Sequence, residues 1–311
     1  MVLPAILIVF AVGVLCVAWG VVVERRWYRL VHHRLPILPA PEGGPESLTL
    51  LHLSDLHFVA GDRRKAAFLA GLPRPDVTIV TGDFLAEPEA VETVVAALEP
   101  LRGRLASWFV LGSNDYFVPQ PLNYFKYFRT GRQPRAARRG RSRDLNAQLE
   151  AGGWEHLRNV RRQTDLAGLP VELLGLDDAH INWHDSRVIP RSAPERFGLA
   201  VMHSPDSAPE SAACGYELIV AGHTHGGQVC LPVVGALVTN SALPRRLASG
   251  LIRMGSAVMF LSPGLGTSKY APFRFFCRPE ATVLELTRRP AAGSGATRQA
   301  REATTSAKTR S

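Results

Sequence analysis

Five short polar clusters interrupt apolar runs in this sequence: Asp55 and His57 in SDLH, Asp83 in TGDF, Ser113, Asn114 and Asp115 in GSND, His203 in VMHS, and His223 and His225 in AGHTHGGQ. A lone histidine after an apolar run is more often a core residue than a ligand, and a Gly-Asp pair is more often a turn. Together the clusters read differently. In an extended segment residues i and i+2 point to the same side, so D-x-H and H-x-H each offer two side chains to one ion. Imidazole and carboxylate together suit zinc, iron or manganese, and a mixed set of this size exceeds what one ion needs. Two divalent ions are implied, and a carboxylate such as Asp83, placed between the paired ligands, can bridge them.

The elements that must position these residues are short β-rich runs, LTLLHLS, DVTIVTG, SWFVLGS, VELLGLD, FGLAVMH and YELIVAG. Helical patterns over Ala90 to Leu98 and Asp144 to Gly152 lie between some of them, which predicts an α/β layered architecture with the clusters at strand ends. The Pro/Gly-rich LPAPEGGPES marks a boundary, so the reading divides the chain into an apolar segment 1–24, a basic and Pro/Gly linker 25–47, a folded domain 48–287 and a disordered basic tail 288–311. No repeat of fixed period interrupts this division.

Val2 to Val23 contains no charged residue and is long enough to cross a bilayer. No basic residue precedes it and no small-residue cleavage site follows it, which favours a retained span over a cleaved signal. Arg25, Arg26, Arg29 and Arg34 follow at once, and the positive-inside rule places that flank, and the domain with it, in the cytoplasm. The net charge of +9 over 311 residues is uneven: Pro119 to Arg143 holds eight basic and no acidic residues, and the tail from Arg288 holds six basic residues against Glu302. Without them the chain is net acidic, which argues against a specific nucleic-acid surface. Basic clusters beside a membrane helix suit anionic lipid head groups, and they equally suit a solvated run. Cys16, Cys214, Cys230 and Cys277 form no C-x-x-C pair and suggest neither a disulfide framework nor a zinc ribbon.

The order D-x-H, G-D, G-(N), H, G-H-T-H resembles the calcineurin-like metallophosphoesterase superfamily over essentially all of Leu48 to Leu286. HSPD, GHTHGGQ, the ending GLGTSKYAPFRFFCRPE and the amino-terminal apolar segment resemble its membrane-associated bacterial branch. The resemblance implies a four-layer αββα sandwich of two mixed β-sheets flanked by helices, here preceded by one transmembrane helix. It also implies that Asp55, His57 and His225 hold one metal, that Asp83 bridges, and that His203 and His223 hold the second. Two divalent ions outweigh two carboxylates, so such a site stays positive for a phosphate.

GSND departs from the family's Gly-Asn-His-Asp/Glu, in which Asn binds the second metal and His serves the transition state or the leaving group. One alignment puts Ser113 at the ligand position and Asn114 at that of the histidine; the other keeps Asn114 as ligand and puts Asp115 where the histidine belongs. Asn114 is favoured, since a carboxamide oxygen is the better ligand for a hard ion, and Asn114 and Asp115 become the candidate catalytic pair. Asp177 and Asp178 read as a turn that could line the site, and His180 and His184 as surface residues. Tyr116, Tyr124, Phe125, Tyr127 and Phe128 read as a lid over an amphipathic substrate or as a satellite core. The expected activity is a membrane-anchored phosphoesterase cutting a phosphodiester or diphosphate bond, with a lipid-linked or nucleotide-activated substrate as one form of it. Its rivals are a tethered phosphomonoesterase or nuclease for soluble substrates, and a catalytically weak binding scaffold.

Overall fold

The computed structural model describes residues 2–39, 44–119 and 138–290. Two six-stranded mixed sheets form the domain. The first has the order β1-β14-β2-β3-β4-β5 and the second β12-β13-β9-β8-β7-β6. In the first, β1 is Arg29–Leu38, β2 Ser47–Leu53, β3 Val77–Thr81, β4 Ala106–Val110, β5 Glu155–His156 and β14 Glu280–Arg288. In the second, β6 is Val160–Leu166, β7 Leu169–Leu176, β8 Phe197–Met202, β9 Leu218–Ala221, β12 Gly250–Met254 and β13 Ala257–Leu261. A small hairpin joins β10, Cys230–Leu231, to β11, Gly235–Ala236.

The central strands read as unbroken apolar runs because both of their faces are covered, and their alternation sorts side chains between layers rather than between core and water. Leu48 and Leu50 of β2, Val77 and Ile79 of β3, and Trp108 and Val110 of β4 meet Val171, Leu199, Val201, Leu218 and Val220 of the second sheet in one core. The alternate residues Leu51, Leu53, Val80 and Phe109 face a second core made with the helices Arg63–Ala70, Val91–Leu98 and Ser142–Ala151. On the far side, Ala200, Met202, Ile219 and Ala221 pack with Ile189, Tyr216 and Ala208, which opens the short helix Ala208–Ala213. These are the four layers that the resemblance implies.

The boundary at Leu48 is corrected. Arg29–Leu38, expected within a linker, is an edge strand parallel to β14, with Arg29 opposite Glu280 and Leu35 opposite Leu286. Leu35 and Leu38 enter the inter-sheet core, and Arg29 is paired to Glu280 at 2.8 Å. Pro36 is tolerated because only one side of this strand is bonded. What remains as a connection is the short stretch before Ser47.

The apolar segment is a helix over Val2–Ala18 that widens through Trp19–Val23 and tightens over Glu24–Arg26. The span Leu3–Arg26 is 24 residues long and almost wholly exposed. Its end is docked on the domain. Gly20 is packed so closely under the Phe273 ring that a Cβ there would strike it, the Arg274 N–H donates to Gly20 O at 3.3 Å, and the Cys277 N–H donates to the buried Glu24 carboxylate at 2.6 Å. The helix therefore runs straight into β1 with no flexible tether.

Leu38→Ala in the full chain should lower stability by about 2–5 kcal/mol, the usual range for emptying a buried leucine site. Urea denaturation in mild detergent measures it; an unchanged midpoint would return this segment to a linker.

Candidate metal centre

Each cluster lies at the carboxyl end of a strand, and face-to-face packing of the sheets brings those ends together. β2 delivers Asp55 and His57, β3 Asp83, β4 Asn114, β8 His203, and β9 both His223 and His225. Five of the eleven non-glycine residues at positive φ among the described residues are Asp55, His57, Asp83, His223 and His225. Such backbone is costly for residues with a Cβ and concentrates at functional sites. Here it turns the chain sharply off β2, β3 and β9 so that their side chains converge on those from β4 and β8.

One ligand atom from each of Asp55, His57, Asp83 and His225 lies within 4.8 Å of every other. His57 Nε2 stands 3.2 Å from His225 Nε2 and 3.5 Å from Asp83 Oδ2, and His225 Nε2 stands 3.4 Å from Asp55 Oδ1. Burial holds both imidazoles neutral, pushing His225 down to about 3 and His57 below its ordinary value. Two neutral rings with their Nε2 atoms face to face are ready ligands.

The other carboxylate oxygen of Asp83 faces a second group, with Oδ1 3.6 Å from His203 Nε2. His203 Nδ1 lies 2.6 Å from Thr81 O, and His223 Nε2 lies 3.1 Å from Asn240 O. A carbonyl only accepts, so those two nitrogens carry the protons of the neutral rings. Were both rings neutral, the remaining nitrogens, His203 Nε2 and His223 Nδ1, would be two lone pairs only 3.2 Å apart. That arrangement calls for a positive charge between them. Burial alone would lower His203, yet Asp83, Asp178 and Asp55 lift it to about 9. A proton can meet that demand, and a divalent ion fits the same donors with Asp83 as its anionic partner.

The carboxylates are held for this task. Burial opposes ionisation of Asp83, but His203, His57 and the Asn114 N–H hold it well below the usual range. Asp55 is likewise held down, against burial, by His225 and His203; the Ser54 hydroxyl and the His223 N–H donate to it at 2.6 and 3.0 Å. Gly112 allows the β4 turn to approach, since a Cβ there would strike Asp83 Oδ1.

Asn114 stands at the cluster. Its backbone N–H donates to Asp83 Oδ1 at 2.9 Å and its amide contacts Asp83 Oδ2 at 2.5 Å, where a half-turn of the amide would present oxygen to a cation. Ser113 is buried beside it. Asp115 is turned the other way: it is fully buried, and its two oxygens accept the N–H groups of Gly112 at 2.9 Å and Leu85 at 3.1 Å. Burial first, and then the Asp83 charge, push it up to about 8. Tyr116 is buried and donates to Asp177; Tyr124, Phe125, Tyr127 and Phe128 lie outside the described residues.

Asp178, read as part of a turn, closes one by accepting the His180 N–H, and its buried Oδ2 has no hydrogen-bond partner. That turn carries His180 onto the centre, with its ring 4.4 Å from that of His223, so it is more than a surface residue. Sequence reasoning also passed over two buried cations. Lys65 donates to the carbonyls of Leu56 and His57. Arg274 is fully buried and donates to the carbonyls of Pro263, Gly264, Gly266 and Cys277. Leu265 and Gly266 in turn donate to Ser54 O and Asp55 O. Arg274 thus braces the segment behind the first ligand pair. Its place inside GLGTSKYAPFRFFCRPE was the available signal.

Two face-to-face mixed sheets with carboxylate, imidazole and carboxamide groups gathered at their strand ends define a metal-dependent phosphoester hydrolase. The chain belongs to the calcineurin-like phosphoesterase family, whose model matches residues 48–227. It is 27% identical over 240 residues to the metallophosphoesterase YkuE of Bacillus subtilis, covering 76% of each chain. It is 26% identical over 269 residues to the phosphodiesterase YaeI of Escherichia coli, covering 85% of this chain and 90% of that one. It is 25% identical over 295 residues to the UDP-2,3-diacylglucosamine pyrophosphatase LpxG of Chlamydia trachomatis, covering 81% and 88%.

If the facing nitrogens are made for cations, added Mn²⁺ should raise the melting temperature in a concentration-dependent way, since a ligand bound only by the folded state stabilises it. Asp83→Asn should abolish the shift. Equal melting of the wild type in Mn²⁺ and in chelator would refute this.

Proposed function

We propose that this protein is a membrane-anchored phosphoesterase with a two-ion centre, cutting a diphosphate or an activated phosphodiester in a lipid-linked substrate. The observation that carries the two-ion reading is Asp83, whose two oxygens face two separate imidazole groups. Asp55, His57 and His225 would hold one ion, and His203, His223 and the Asn114 amide the other. Bound there, the ions would supply Lewis-acid charge to the phosphoryl oxygens and lower the pKa of a water.

The rest falls to the chain's own groups. Asp83 sets the spacing of the two sites, Thr81 O and Asn240 O fix the tautomers of His203 and His223, and Ser54 orients Asp55. Such supporting contacts commonly govern ligand geometry. GSND brings no histidine to protonate a leaving group. Asp115 braces the loop, with both oxygens committed to backbone N–H groups. General acid catalysis typically contributes about 10²- to 10⁴-fold, and a phosphate leaving group needs little of it. A diphosphate is therefore the substrate this loop suits.

The lipid part of the reading rests on the docked helix and on chemistry shared with a relative whose name specifies a diacylated sugar nucleotide. A cytoplasmic domain follows only from the arginines after the helix, two of which, Arg29 and Arg34, are spent on Glu280 and Glu285 within the sheet.

Metal analysis of the purified protein should give two equivalents, and one after His223→Ala. Turnover should be faster on UDP-2,3-diacylglucosamine and aryl phosphodiesters than on alkyl phosphomonoesters; equal rates, or activity that survives complete chelation, would overturn the reading. Asp115→Asn sets an amide N–H₂ against a backbone donor, so it should cost about 1–3 kcal/mol of stability and leave the ratio of those rates unchanged. A loss confined to alkyl esters would make Asp115 the acid.

A further inference from the structure

The segment after His225 carries no charge from Gly226 to Pro244, yet little of its apolar surface is buried. In LPVVGALV, Val233 is 108% and Val234 65% exposed, and Leu231, Leu237 and Val238 are exposed beside them. Val233 also holds a positive φ of 70°, where a hairpin turn ordinarily uses Gly, Asn or Asp and where a β-branched residue is strained. A strained valine that packs against nothing in its own chain gains nothing from water.

The hairpin is built on the same segment that receives the helix. The Cys230 N–H donates to Phe275 O at 2.8 Å, and the Phe275 N–H donates to Gln228 O at 2.9 Å. Phe275 stacks on Phe273, which covers Gly20 of the helix. Cys277, whose N–H caps Glu24, donates its thiol to His225 O at 3.3 Å. Around this junction stand exposed Trp19, Trp27, Tyr270 and Phe276 with exposed Arg26, Arg245 and Arg246. Aromatic rings and arginines beside an apolar helix end are the composition of a membrane–water interface.

We propose that the hairpin Cys230–Ala236 inserts Val233 and Val234 into the acyl region of the bilayer beside the helix end, seating the metal centre at the lipid surface. This rests on the membrane-anchored reading above. The far end of the hairpin segment is tied to the centre, because Asn240 O accepts from His223. Insertion then holds the centre where the diphosphate of a lipid emerges from the head-group layer.

The test uses the full chain in phosphatidylcholine–phosphatidylglycerol vesicles with and without brominated acyl chains. For Val233→Trp, the bromine-dependent loss of tryptophan fluorescence should exceed that of the wild type by about twofold or more, as for a residue buried below the head groups; a loss equal to the wild type's overturns the insertion. In a second arm, Val233→Asp with Val234→Asp should lower turnover of vesicle-borne UDP-2,3-diacylglucosamine by about tenfold while turnover of a soluble aryl phosphodiester stays within about twofold. An equal fall on both substrates, or a fall on neither, also overturns it. If wild-type enzyme turns over only the soluble ester while Val233→Trp is still quenched, the hairpin stands and the lipid substrate falls. If the full chain does not float with the vesicles, both fall.

Discussion

The organising constraint of this molecule is that carboxylates and imidazoles from distant parts of the chain are gathered at one buried point. His203 Nε2 and His223 Nδ1 stand 3.2 Å apart, as do His57 Nε2 and His225 Nε2, and the Asp83 carboxylate stands between the two groups. No local preference would assemble them. They stay because five strands from two sheets end there, three of them (β2, β3 and β9) turned off by costly left-handed residues, and all backed by buried cores. Apolar burial stabilises the scaffold, and the scaffold absorbs the strain of the site. A cation bound there would balance the two buried carboxylates directly.

The parts of this arrangement legible in the sequence are those where residue type and chemistry coincide. D-x-H and H-x-H at the ends of apolar runs give candidate ligands and strand ends together, and strands buried on both faces announce themselves by continuous hydrophobicity. β1 does not. RLVHHRLPIL carries arginines, histidines and a proline because it is an edge strand with an exposed face, and its burial is reported by Leu35 and Leu38 with the half-buried Leu30 and Ile37. Proximity to a Pro/Gly stretch made it resemble linker.

The loop GSND was ambiguous for another reason. Asparagine and aspartate are both short, polar and competent at a turn, and nothing in their order tells which one faces the site; the deciding contacts are to Asp83 on one neighbouring strand end and to Gly112 and Leu85 on the other side. His180 and Arg274 share that limit. His180 meets His223 through a ring contact, and Arg274 reaches Asp55 only through the carbonyls of its own segment, whose Leu265 and Gly266 bond to Ser54 and Asp55. Sequence spacing reports neighbours along a strand, and these are neighbours across a fold.

The placing of β14 between β1 and β2 has a consequence for how the chain acquires its shape. Arg29 and its partner Glu280 are 251 residues apart, and among the described residues β1 bonds to no strand but β14. As the chain leaves the ribosome, β2, β3 and β4 can pair in parallel while β1 waits, its bonding edge unsatisfied, until nearly all the domain has been made. Arg274 arrives equally late, and the segment it braces behind Asp55 cannot close before it. Long-range pairing of this kind slows folding and leaves partly formed sheets open to misassociation. The last strand is thus a lock: a nascent or truncated chain that ends before Arg274 would have all of its candidate ligands but neither the brace nor the sheet edge that keeps them in place.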